Sequence, residues 1–386
     1  QSRSRGLSPR DLAMQVALPE LDGRILTRAI SWKSASRYDE ATQCTIVAPT
    51  PVDDRVDFVA DLAANWVTLR RTKIHERRVA LVLANYPNRE GRIGNGVGLD
   101  TPAGTIEVLS AMQGAGYGID QVPADGDTLM RRLIARETPF RLEGADYAAY
   151  FSTLPPAMQA AVITRWGSFN RDPHYAGNGF DIPLINLGNI VIGVQPSRGY
   201  DIDPTASYHD PDLVPPHYYF AFYAYLRRQF GVQALVHMGK HGNLEWLPGK
   251  SLALSNLCYP EAIFGALPHL YPFIVNDPGE GAQAKRRAQA VIIDHMTPPL
   301  TRAESYGPTR DLERLVDEYF EASQVDPRRC IDLKRQILDL AMSSGLAADL
   351  GQQLAHRHHA AVQRQEAVDV QAQAFDVLHQ VHVVGI

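Results

Sequence analysis

The chain has 386 residues, a formal net charge of −5, and hydrophobic and charged fractions of 45% and 21%. That composition is ordinary for a soluble globular protein. It lacks the basic surplus that would argue for nucleic acid and any apolar run of about 18 residues that would span a membrane.

The three cysteines, Cys44, Cys258 and Cys330, are far apart and make no CxxC pair. This argues against a disulfide framework or a four-cysteine zinc site and fits a reducing, cytoplasmic setting. The chain opens Gln1-Ser2-Arg3 with no secretory leader and reads as a piece of a longer protein.

In chain order, residues 1–75 form a mixed lead-in that ends in a helix at 53–71, with apolar Val56, Val59, Leu62, Trp66 and Leu69 at helical spacing. Residues 76–180 read as a first α/β unit. Val79–Leu83 is wholly apolar, as a buried parallel strand should be. A Gly-rich loop follows at 85–104, then a helix at 105–114, a strand at 117–122 and a helix from 125 to 136 capped by Asp125. Residues 137–178 read as irregular or helical.

Residues 181–305 read as a second α/β unit. A strand at 190–194 leads into a polar loop at 195–216, an aromatic helix at 217–230 and a strand at 232–236. Another strand at 273–275 precedes a basic helix through Lys285-Arg286-Arg287. Residues 306–386 read as nearly all helix, the last 40 as one long one. The expected class is α/β, with parallel-sheet βαβ units and a helical C-terminal segment.

The string HMGKHGNLEWLPGK at 237–250 carries the chemistry. His237 and His241 are four apart and Glu245 is four further on. They follow a strand, where open sheets place ligands. Imidazole and carboxylate suit divalent first-row metals and proton transfer near neutral pH. Gly239 and Gly242 break any helix, so this is not the helical HExxH zinc motif. Spacing alone leaves a metal or proton-transfer site, a metallohydrolase cluster and a plain polar loop all open.

Around the loop that holds Gly94, Asn95, Gly96 and Gly98, the glycines fit neither GxGxxG nor GxxxxGK[ST], so nucleotide binding is not expected. Arg89 and Arg92 in that loop, and Arg198 after the 190–194 strand, are candidates to anchor carboxylates or amides of a ligand. Asp277 and Glu280 follow another strand and precede a helix, where acids either cap or bind. The run Tyr218-Tyr219-Phe220-Ala221-Phe222-Tyr223 is either core or a surface that stacks on a flat ligand.

HMGKHGNLEWLPGK resembles the signature of the large subunit of aerobic cobaltochelatase and of its relative, the large porphyrin-binding subunit of magnesium chelatase. The segments NYPNREGRIGNGVGLDTPAG, QPSRGYDID, YHDPDLVPPHYYFAFYAYLR, YPFIVNDPGEGAQAKRRAQAVIIDH and PLTRAESYG resemble that family too, in order, from about residue 10 to about 350. The magnesium branch tends to Thr at the position of Lys240 and to Phe-Met after the Glu; Lys240 and Trp246-Leu247 here resemble the cobalt branch.

The resemblance implies insertion of Co²⁺, as substrate metal, into a corrin, hydrogenobyrinic acid a,c-diamide, on the way to cobalamin. It implies His237, His241 and Glu245 as catalytic groups and metal ligands, and Arg89, Arg92, Asn95, Arg198, Asp277 and Glu280 as substrate contacts. ATP and Mg²⁺ would be used by partner subunits, an AAA+ ATPase and its integrin-type partner. The alternatives are Mg²⁺ insertion into protoporphyrin IX, or a non-catalytic tetrapyrrole carrier or sensor. Neither nucleic acid nor a membrane span is expected.

Overall fold

The structure is a computed structural model that describes residues 8–85, 94, 96, 98–136, 140–200, 210–297, 308–323 and 327–343. Residues 9–21 are helical, and two strands, β1 (Ser31–Asp39) and β2 (Cys44–Pro51), pair as an antiparallel hairpin with a bulge between Ala35 and Arg37. Both strands are largely exposed, so no apolar alternation marks them in the sequence. The lead-in ends in the expected helix, Asp53–Arg71.

Strand β3 (Val79–Leu83) is buried at every position. After it the chain forms a three-stranded antiparallel sheet from β4 (Phe140–Glu143), β5 (Tyr175–Ala176) and β6 (Gly179–Ile182), in the order β4–β6–β5. β4 and β5 lie in the stretch read as irregular or helical, beside helices Gly144–Phe151 and Pro156–Trp166, and β6 directly follows it. The main sheet continues with β7 (Leu184–Leu187), β8 (Ile190–Val194), β9 (Ala234–Met238), β10 (His269–Ile274) and β11 (Val291–His295). Its order is β11–β10–β9–β3–β8–β7. All its pairings are parallel except the β7–β8 hairpin at the edge. One sheet therefore runs through both α/β segments, with β3 at its centre.

Four details differ from expectation. Residues 117–122 make no strand; they touch the sheet through a single bridge, Ile119 to Gly188, because β7 already occupies the place beside β8. Strand β9 is displaced by two residues and contains His237 rather than preceding it. Strand β10 begins four residues early and brings His269 and Tyr271 into the sheet, and β11 has no counterpart among the expected elements.

The pleat divides the core. Val79, Leu81 and Leu83 face Leu109, Leu129 and Leu133 on the helices Thr101–Gly114 and Gly126–Ala135. Ala80 and Val82 face the aromatic helix His217–Ala224, as the period-2 alternation of a strand requires. The Asp125 cap is as expected, its Oδ1 accepting from the Thr128 N–H at 2.7 Å. All eight residues of His217–Ala224 are buried, so the aromatic run is core. The helix continues as a π-helical turn, Tyr225–Phe230, and stops at Gly231, whose φ of +70° suits a left-handed cap.

Helices Pro308–Ser323 and Pro327–Ser343 pack on one another through Leu312, Leu315 and Val316 against Leu333 and Ile337. The long helix expected over the last 40 residues lies outside the described residues. Among the described residues no helix is long and apolar enough to cross a membrane.

Candidate functional site

The carboxyl ends of β8, β3 and β9 lie side by side, with Val194, Leu83 and Met238 level in the register. The loops that follow meet there. Gly239 has φ +91°, and a Cβ on it would sit 2.7 Å from Thr101 Oγ1 and 3.4 Å from the Gly96 Cα. Only glycine allows the His/Glu loop and the Gly-rich loop to touch at the start of helix Thr101–Gly114.

His237 is 2% exposed and points into the core. Its Nδ1 is 2.7 Å from His269 Nε2 and its Nε2 is 3.0 Å from the Tyr223 hydroxyl. Tyr223 in turn accepts from Gln195 Nε2 at 3.0 Å, and Gln195 Oε1 accepts from the Asn243 N–H at 2.9 Å. At the other end His269 Nδ1 donates to the Ala288 carbonyl at 2.9 Å. Burial first, and the neighbouring His269 second, hold the His237 imidazole well below its ordinary value. Burial likewise lowers His269 to about 4. Both rings are neutral at physiological pH.

Glu245, on the short turn Leu244–Trp246, is 1% exposed. Its Oε1 accepts from the Tyr271 hydroxyl at 3.1 Å, while Oε2 has no hydrogen-bond partner among the described residues. Burial raises the carboxyl above the usual range, opposed by the nearby His241 and the Tyr271 bond. Tyr271 also accepts the Gly242 N–H. Burial first and the Glu245 charge second push the Tyr271 phenol up, so it stays a donor.

His241 is 9% exposed, its ring 5.5 Å from that of Trp246. Its Nδ1 lies against the Gly242 carbonyl and donates to it. Arg287, 6% exposed, fastens the end of this loop by donating to the carbonyls of Glu245 at 2.7 Å, Leu247 at 2.6 Å and Lys250 at 3.0 Å.

The predicted residues are thus placed differently from one another. His241 and Glu245 share one loop. His237 is turned away into the sheet with both ring nitrogens engaged. Among the described residues no group of three or more His, Cys, Asp or Glu is arranged to hold a metal ion.

Asp277 and Glu280 close onto Lys240, which pairs with Asp277 and lies 3.3 Å from Glu280. Burial works against the Lys240 charge, but the two carboxylates outweigh it and raise its pKa. Arg198 is 2% exposed and donates to the Asp210 carbonyl at 2.8 Å. Arg89, Arg92 and Asn95 lie outside the described residues.

Sequence reasoning missed Gln195, Tyr223, His269, Tyr271 and Arg287. Their partners are far along the chain, and no local spacing marks them. The one available signal was that His269 and Tyr271 alternate with Leu270 just ahead of the apolar Phe273 and Ile274.

Comparison with known proteins supplies the context. The family model described as CobN/Magnesium Chelatase matches residues 1–384. The chain is 56% identical over its whole length to the aerobic cobaltochelatase subunit CobN of Sinorhizobium sp, of which it covers 31%. It is 32% identical, over 84% of its length, to the magnesium-chelatase H subunit of Cereibacter sphaeroides, of which it covers 28%. A solved structure, the catalytic subunit of cobaltochelatase from Mycobacterium tuberculosis, superposes with a TM-score of 0.67 at 42% identity, over 90% of this chain and 30% of that one. The chain thus spans about a third of the length of the relatives it matches.

Proposed function

Because the chain belongs to the CobN/magnesium chelatase family, we propose that it is a tetrapyrrole-binding catalytic portion of an ATP-dependent chelatase that inserts Co²⁺ into hydrogenobyrinic acid a,c-diamide. The higher identity to the cobalt relatives than to the magnesium ones supports cobalt as the substrate metal. ATP hydrolysis, with its Mg²⁺, falls to an AAA+ partner and an integrin-type subunit. Three free cysteines suit a reducing, cytoplasmic setting.

Each ring N–H replaced by a metal–nitrogen bond releases a proton, and a base must take it. The observation that carries the proposal is Glu245: a buried carboxylate with an unpartnered oxygen and a raised pKa, at the carboxyl edge of a parallel sheet. Raising a carboxyl's pKa towards neutrality strengthens its carboxylate as a base. We assign Glu245 to the leaving proton and His241, through Nε2, to the incoming metal ion. His237 holds the end of β9 beneath them, which revises its expected role as a ligand. The Lys240–Asp277–Glu280 cluster ties the β9 and β10 loops together at the same edge, and with Arg198 it shapes the rim that receives the macrocycle's amides and carboxylates.

Titration of the protein with the metal-free corrin diamide and with protoporphyrin IX, followed by the tetrapyrrole's absorbance, tests the substrate class. Tighter binding of the corrin is expected. Preference for the porphyrin would favour the magnesium reaction instead.

A further inference from the structure

We propose that the hydrogen-bond chain running from the Asn243 N–H to the Ala288 carbonyl is a positioning device for the Glu245 loop, with Gln195 and Tyr223 as its links and His269 as its buried anchor. Its effect on turnover rests on the reading of Glu245 above; its existence does not.

The direction of every proton in this chain follows from its two ends. A backbone N–H can only donate, so Gln195 turns its Oε1 to Asn243 and its Nε2 to Tyr223. A backbone carbonyl can only accept, so His269 carries its proton on Nδ1 and offers the Nε2 lone pair. His237 must then donate from Nδ1 to His269 and accept at Nε2. Both deductions arrive at Tyr223, whose hydroxyl accepts from Gln195 and donates to His237. The two ends agree, and five bonds run head to tail with one polarity. Such chains polarise one another and are stiffer than their separate bonds.

The far end is not an arbitrary place. Ala288 follows Arg287, which holds the carbonyls of Glu245, Leu247 and Lys250. The backbone just before Glu245 is therefore pinned through the chain to Ala288, and the backbone at and after Glu245 is pinned by the adjacent residue. One point on the helix Pro278–Ala288 fixes both sides of the carboxylate. Tyr219 and Pro196 secure the Asn243 side chain, at 2.6 Å and 3.1 Å. This arrangement places Glu245 by its backbone and leaves Oε2 without a fixed partner.

Two readouts independent of activity test this. Long-range nitrogen NMR of histidine-labelled protein near pH 7 should show His237 and His269 both as neutral Nδ1–H tautomers. The Asn243 amide should exchange slowly, and His269→Phe should speed its exchange. In the chelatase, His269→Phe should lower kcat about tenfold, the order expected when a supporting residue behind a site is lost, with KM unchanged and partial recovery in His269→Gln.

An Nε2–H tautomer at either ring in the wild-type protein would overturn the proposal, whether or not the variants fold. So would an Asn243 amide, or a kcat, unmoved in a folded His269→Phe. If the tautomers and the exchange are as expected but no metal is inserted by the wild type, the assigned reaction fails and the positioning chain stands.

Discussion

Glu245→Gln should abolish metal insertion while the protein still binds its tetrapyrrole and remains folded. A positioned general base contributes roughly 10²–10⁴ in rate, and glutamine keeps an oxygen for the Tyr271 hydroxyl but cannot take a proton. The stability effect should run the opposite way. The Glu245 carboxyl is pushed above its ordinary value of 4.5, chiefly by burial.

A group raised in this way favours the fold at pH below its unfolded value. That contribution is lost as the pH climbs through the folded value and a charge must be buried. Glutamine never ionises. The melting temperature of Glu245→Gln relative to wild type should therefore rise as the pH is taken from below the ordinary carboxylate value up into the neutral range. Turnover near the wild-type rate, or a relative stability that falls with rising pH, would contradict the role given to Glu245.

Acid should unfold this protein early, and the buried histidines should be the cause. His269 is lowered to about 4 from an ordinary 6.5, and burial lowers His237 in the same direction. In the unfolded chain both rings take up protons near pH 6.5; in the folded protein they do not. The stability they support is thus fully present above pH 6.5 and is lost as the pH falls from there towards 4. For His269 alone the difference corresponds to about 3 kcal/mol, a large share of the stability of an ordinary domain.

Urea unfolding of the wild-type protein and of His269→Gln at pH 7 and pH 4.5 separates this from general acid effects. The gap between the two proteins should shrink at the lower pH, because glutamine has no proton to gain. Parallel pH dependences would show that His269 titrates normally.

The parts of the fold that were legible in the sequence are those whose physics is local. Val79–Leu83 and Ile190–Val194 are apolar without interruption because parallel central strands are covered on both faces. Asp125 precedes its helix as a cap because its partner is three residues away. The motif at 237–250 was legible as chemistry from its residue types, and it does lie at a strand end.

What was illegible is the division of labour within the motif. His237 looked like a loop residue because it is polar. It lies inside β9 because Tyr223 and His269, 14 and 32 residues away in sequence, satisfy its nitrogens. The start of β10 was misjudged for the same reason, since His269 is buried only by virtue of His237 and the Ala288 carbonyl. The hairpin of β1 and β2 has no buried face to pattern it. In each case a long-range partner, or the absence of a core, decided what neighbouring residues could not.

The most direct test of cobalt insertion is a reconstituted reaction with the ATP-hydrolysing partners present. Co²⁺ and metal-free hydrogenobyrinic acid a,c-diamide should yield the cobalt corrin only with ATP. Mg²⁺ with protoporphyrin IX should give no product, and Glu245→Gln should give none with either pair. Insertion of Mg²⁺ into the porphyrin at an equal or greater rate would assign the chain to the other branch of its family. Tight corrin binding without any insertion by the complete assembly would make it a carrier.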